Sequence, residues 1–411
     1  MVEPHRLGAK QAAQRIERGE LSAQDYLRSC LERIDAREPE VRAWVHLARN
    51  FPEGKSKAPL FGVPIGVKDI FDTHDLPTEY GSPIYAGYRP RADAAVVALA
   101  RRAGGTILGK TVTAEFATFV PRATRNPHNL AHTPGGSSSG SAAAVADFMV
   151  PLAFGSQTAG SIIRPASYCG VCAIKPTYNT LPRAGFKPGA DSLDTIGVYG
   201  RGVEDLGFFM AALTDRPELD AKPQKPARIG LCRTSEWDRV QPEMRKALED
   251  AGRALAAKEI ELPARFKGLR ESHAAILWYE ASRGLADEFL RFPDRIDPAL
   301  RERCAAGLAL DTREYVKALR HGAECRAHLE EAFDGCDVLL APAATGEAPK
   351  GLASTGDVAC NVVWTLLHTP CVAVPAGRGP NGLPLGLQVI GRIGDDARTL
   401  ALAGWIEKEL A

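Results

Sequence analysis

The sequence has no uninterrupted apolar run of about 18 residues, the length needed to cross a bilayer as a helix, and no charged start followed by an apolar stretch. Neither a membrane span nor a signal peptide is expected, no membrane partner follows, and the cytoplasm is the expected location. An excess of charge of one sign is also missing: 51 Lys and Arg stand against 50 Asp and Glu, a formal net charge of +1. Without a basic block or a basic stripe studded with aromatics, nucleic acid is not expected as a partner. Nine cysteines, an odd and scattered set, suit reduced thiols rather than a disulfide framework. Cys169-Gly-Val-Cys172 is the one pair at metal or redox spacing, and no second pair completes a zinc site. No metal and no cofactor are expected. Internal repeats and disordered linkers are absent from the pattern as well.

What remains is an ordinary folding composition, 45% hydrophobic and 25% charged over 411 residues, enough for a substantial core. Ser22 is a plausible N-cap for a helix running through Ile34. The run 61–70 (FGVPIGVKDI) reads as a buried strand with its turn, 94–102 as a helix, 106–108 as a strand, 141–149 as an Ala-rich helix and 150–154 as a strand. Alternating strands and helices predict an α/β fold. Residues 228–232, 337–342, 371–375 and 386–390 have buried-strand composition and are expected to join the same sheet. The whole chain, 1–411, reads as one domain, with 217–326 a peripheral, mainly helical region within it.

Three motifs fail on context. Gly104 to Thr111 matches the phosphate-loop pattern G-x-x-x-x-G-K-[ST], but its first glycine ends a helix and its interior holds a strand, so no helix amides would cradle a phosphate. A nucleotide-binding protein using Gly104 to Thr111 would betray itself by stabilisation with ATP. Gly136-Ser137-Ser138-Ser139-Gly140 fits the nucleophile elbow G-x-S-x-G, yet a polar loop precedes it where a hydrophobic strand is required. His128 and His132 are four apart, but Pro127 and Pro134 bracket them and make a metal-binding helix improbable.

The serine loops carry more. Thr133 to Ser141 (TPGGSSSGS) stands directly before a strong helix former, which favours a packed loop over a flexible linker. Ser161 follows Ser137 by twenty-four residues, within Gly155 to Ala166 (GSQTAGSIIRPA). The small residues Thr158, Ala159 and Gly160 let successive N–H groups approach one point, an oxyanion hole if Ser161 attacks a carbonyl. A serine hydroxyl needs a base. No histidine lies close in sequence except the loop pair, whereas Lys68 interrupts an apolar run where burial would lower its pKa. The alternative for Lys68 is a strand-edge lysine reaching solvent.

Together these residues resemble the amidase signature family. The resemblance runs from the helix around residues 21–34 through FGVPIGVKDIFD and AGGTILGKT, is densest from Gly135 to Pro176, and returns at 192–201 and 382–403. It implies a large mixed β-sheet covered by helices on both faces and a Ser-Ser-Lys triad, with Lys68 as base, Ser137 as bridging serine and Ser161 as acylated nucleophile. It also implies a cis peptide bond entering Ser137, oxyanion amides from Thr158, Ala159, Gly160 and Ser161, and a supporting hydrogen bond from Ser138. Ser138 and Arg164 are placed on the substrate side.

Arg164 departs from much of the family by standing one place later, three residues after Ser161. At the start of a helix it would share a side with the nucleophile, where its fork could hold a carboxylate, either of a substrate or of the protein, such as Asp194. This arrangement, with LASTGD and VVWTLL near the end, is most similar to the malonamidase branch of the family. It implies hydrolysis of a small carboxylate-bearing, malonamate-like amide to acid and ammonia by a possible homodimer. Two alternatives stay open: the glutaminase (A) subunit of a tRNA amidotransferase, and a catalytically silent binding protein of the same fold.

Overall fold

The alternation of side chains along short apolar runs decides the architecture. A computed structural model describes residues 3–49, 51 and 58–411. Its strands are β1 (Trp44–Leu47), β2 (Pro64–Lys68), β3 (Thr106–Thr111), β4 (Leu152–Gln157), β5 (Cys172–Lys175), β6 (Thr195–Gly200), β7 (Ile229–Cys232), β8 (Lys258–Ile260), β9 (Val338–Pro342), β10 (Cys371–Arg378) and β11 (Pro384–Ile390). They form one sheet of 11 strands in the order β1-β3-β2-β4-β6-β5-β10-β11-β9-β7-β8. The trio β3-β2-β4 is parallel, β7 is parallel to both of its neighbours, and the pairs between β4 and β9 are antiparallel, so the sheet is mixed.

Both faces are covered, because odd and even residues of one strand enter different cores. Leu152, Phe154, Ile174, Val372 and Val374 belong to one apolar cluster, whereas Ala153, Ala173, Ala341 and Ala373 belong to the other. At these positions the first face carries large side chains and the second small ones. On the small face lie two short buried helices, Ser139–Ala146 and Ile163–Cys169, each opening from a serine loop. They sit close to backbone. A Cβ on Gly140 would come within 2.2 Å of Ala43 O and 2.3 Å of Val112 N.

Ser22 caps helix Ala23–Val41 by accepting from Asp25 N–H at 3.0 Å. The phosphate-loop pattern is occupied by β3, entered through Gly104 at φ +82° after helix Ala95–Arg102. Its Lys110 is fully buried and holds Asp69 Oδ1 at 3.1 Å and Phe71 O at 2.8 Å. The stretch 217–326 contains helices Pro242–Ala254, Leu269–Gly284, Pro298–Leu308 and Thr312–Ala327, and also β7 and β8, which extend the sheet to its edge. No helix is long and apolar enough to cross a membrane among the described residues.

Candidate active site

The parallel trio points its C-terminal ends at one place, where open α/β sheets commonly build their sites. Lys68 is the last residue of β2, paired with Thr111 of β3, and β4 runs on through Gln157 toward Ser161. Lys68 is fully buried, with no carboxylate in ion-pair range among the described residues. Its Nζ donates to Ser137 Oγ at 2.8 Å and to Ser156 Oγ at 2.8 Å. Burial pushes its pKa well below the ordinary lysine value, against a weaker opposing pull from Asp194. A neutral amine there can accept a proton from Ser137.

Ser137 enters the site through a cis peptide bond from Gly136 and is fully buried. Ser161 is 7% exposed and lines a cavity of about 370 Å³. The Lys68–Ser137 step is therefore formed, while Ser161 Oγ makes no hydrogen bond among the described residues. Tyr199 OH donates to the carbonyls of Ser161 (3.2 Å) and Ile162 (3.0 Å) and fixes the turn below it. Ser138 does not line the cavity. Its hydroxyl donates to Ser156 O at 3.3 Å, a place suited to supporting Lys68 and Ser156.

None of the N–H groups of Thr158, Ala159, Gly160 and Ser161 donates to another described residue. Gln157, by contrast, folds its side chain back to accept from Ile162 N–H (2.9 Å) and Ile163 N–H (3.0 Å), capping the helix that follows. A turn of free amides beside Ser161 is the arrangement that can hold a developing oxyanion.

Arg164 is 2% exposed and lines the same cavity. It does not pair with Asp194. That carboxylate accepts from Thr158 Oγ1 and from the N–H groups of Gly189 (2.7 Å) and Ala190 (2.9 Å), and burial pushes its pKa up to about 6. Arg164 Nη2 instead donates to Gly136 O at 2.6 Å and to Thr355 Oγ1 at 3.2 Å, while its Nε and Nη1 have no hydrogen-bond partner among the described residues. Burial lowers its pKa, and two buried guanidinium nitrogens without a hydrogen bond leave a donor demand unmet in the wall.

The opposite wall was not foreseen. Helix Leu269–Gly284 supplies His273 and Trp278, helix Pro298–Leu308 supplies Arg303, and Phe119 meets Trp278 edge-on at 5.9 Å. Asp357 lies on the rim, paired with Arg239 at 2.7 Å. Ser156, like this wall, escaped the sequence reading. The loop histidines are engaged by carbonyls, His128 Nε2 with Cys169 O at 2.9 Å and His132 Nδ1 with Ala348 O at 2.8 Å. All nine cysteines are free and buried, and Cys169 and Cys172 fall into different apolar clusters.

A large mixed sheet with a buried lysine and two serine loops at the ends of its parallel strands defines a hydrolase-like class, and comparison with known proteins places it further. Residues 25–400 match the family model described as Amidase, and the chain belongs to that family. It is 32% identical to the A component of the glutamyl-tRNA(Gln) amidotransferase of Chloroflexus aggregans (strain MD-66 / DSM 9485), over 97% of this chain and 96% of the relative. The crystal structure of the corresponding Thermotoga maritima protein superposes with a TM-score of 0.83 at 28% identity, covering 99% of this chain and 96% of that one. An inhibitor-bound structure described as part of a vestigial protein complex related to an s-triazine catabolic enzyme superposes with a TM-score of 0.90 at 28% identity, covering 98% of each chain.

These relatives shift one expectation and correct another. The curated relatives named for this comparison are amidotransferase A subunits, which favours the alternative reading over the malonamidase-like one. The exclusion of nucleic acid as a partner beside a small amide is overturned, since the relatives are by name subunits of an enzyme whose substrate name carries a tRNA. A net charge of +1 describes one chain, and one subunit need not carry the charged surface of its assembly.

Proposed function

We propose that the chain is the amide-hydrolysing subunit of a glutamine-dependent amidotransferase, releasing ammonia from glutamine through an acyl-serine intermediate. The observation that carries the chemistry is the buried Lys68, without an ion pair among the described residues and 2.8 Å from Ser137 Oγ, beside a cavity lined by Ser161. Similarity over nearly the full length of amidotransferase A subunits supports the subunit role.

Neutral Lys68 takes the proton of Ser137 as Ser137 takes that of Ser161, and Ser161 Oγ attacks the side-chain amide carbon. The amides of residues 158–161 hold the oxyanion. The proton returns to the departing nitrogen as the C–N bond breaks, leaving ammonia and a glutamyl ester on Ser161. Water, deprotonated by the same relay, then releases glutamate. Arg164, with Nε and Nη1 unpartnered, receives the substrate carboxylate.

Those two free nitrogens also favour a second reading, a lone amidase for a malonamate-like acid amide. Ammonia release by the purified chain from glutamine, malonamate and a neutral aliphatic amide separates the two. Turnover of glutamine above malonamate is expected; the reverse order would replace the first reading by the second.

A further inference from the structure

An oxyanion loop works only if its peptide planes are turned the right way. In a trans peptide the N–H points opposite to the carbonyl of the preceding residue. Holding Thr158 O therefore sets the direction of Ala159 N–H, and holding Ala159 O sets that of Gly160 N–H. Both carbonyls are held. His273 Nε2 donates to Thr158 O at 2.8 Å, and Thr365 Oγ1 donates to Ala159 O at 2.7 Å, nearer than its other acceptor Asn361 O at 3.1 Å, while accepting from Gln157 Nε2 at 2.9 Å. A carbonyl only accepts, so the His273 proton must sit on Nε2.

We propose that His273 is a positioning residue of the oxyanion loop, pinning the Thr158 carbonyl so that Ala159 N–H is aimed at the charge that develops when Ser161 attacks, with Thr365 doing the same for Gly160 N–H. The inference rests on the acyl-serine reading above. It gives helix Leu269–Gly284, within the stretch expected to be peripheral, a share in the chemistry. His273 is 2% exposed, and burial pushes its pKa down to about 4, so its ring is neutral at neutral pH. The Nε2 proton is present in either protonation state, so the tether is not a proton relay.

The test is the rate at which a fluorophosphonate modifies Ser161, read by mass spectrometry, with kcat and KM for ammonia release measured alongside. A fluorophosphonate needs the nucleophile and the oxyanion loop but not the natural substrate. His273→Leu should slow modification and kcat by about 10- to 100-fold, less than the roughly 10²- to 10³-fold cost of deleting an oxyanion donor, with a smaller change in KM. His273→Gln, which restores an N–H donor of similar reach, should recover rates within about 3-fold of the native protein, with an unchanged pH profile. Native rates in His273→Leu, or a His273→Gln variant as slow as His273→Leu, would overturn the inference. Should His273→Leu fail to fold, Thr365→Val is expected to slow modification by about 10-fold, and native speed there overturns it equally. A native protein that never gains the adduct on Ser161 overturns the acyl-serine reading, and this inference with it.

Discussion

On the sheet side of the cavity, Lys68, Ser137 and Ser156 are at most 1% exposed and are fixed by the backbone of β2, β4 and the helix after the Ser137 loop. On the helical side, Phe119 is 37% exposed, Trp278 is half-buried and Arg303 stands in solvent against the Trp278 ring, 5.8 Å from its centroid. The first side is built for one geometry and buries an amine whose pKa is pushed down by desolvation. The second offers surface that can be exchanged without disturbing the sheet. His273 is the exception, a buried residue of the helical side tied to the catalytic loop. Under the proposed acyl-serine chemistry, proton transfer falls to the first layer and selectivity to the second, with that loop between them.

The comparison breaks most visibly at Ser161. Ser161→Ala should lower kcat by about 10⁴-fold or more while leaving the melting temperature nearly unchanged, checked by ammonia release and thermal melts. Next comes Lys68. Its folded-state pKa is depressed, so the neutral base is lost only as pH falls through that lowered value, and kcat/KM should rise with pH across it and level off well below pH 10.5. Lys68→Arg, always protonated, should be inactive at every pH. A native acid limb without any such rise would detach Lys68 from the chemistry.

Arg164 sharpens the boundary between the layers, because one nitrogen holds Gly136 O and two have no hydrogen bond among the described residues. Arg164→Ala should cost about 10²- to 10³-fold in kcat/KM on a carboxylate-bearing amide and about 10-fold on a neutral amide, since the charge-assisted contact and the loop tether are lost together. Equal losses would leave Arg164 with the tether alone. The smallest effect belongs to the outer wall. Arg303→Gln should raise KM by about 3- to 10-fold with kcat unchanged, the pattern of a group that contributes to binding only.

Legibility in the sequence followed the same division. Lys68, Ser137, Ser161 and Arg164 lie in short contiguous stretches whose composition conflicts with their surroundings, a lysine in an apolar run or a glycine-serine string before a helix. β2, β3, β4, β7, β9, β10 and β11 were foreseen within a few residues because each is an apolar run. β6 was missed because Gly197 and Gly200 interrupt it, and β8 because two of its three residues are exposed and charged. His273 carries no local signal at all. It sits 115 residues from the carbonyl it holds, on a charged helix that only the tertiary fold brings to the cavity. Ser156 reads as part of a Gly-Ser turn, and only pairing of β2 with β4 sets it beside Lys68. The partner expectation failed because composition of one chain is silent about other subunits.

The most direct test of the account is to quench the native protein during turnover of glutamine and map the trapped ester by peptide mass spectrometry. The account predicts a glutamyl adduct on Ser161 alone, absent from Ser161→Ala. An adduct on Ser137 or Ser138, or turnover with no covalent intermediate, would contradict it.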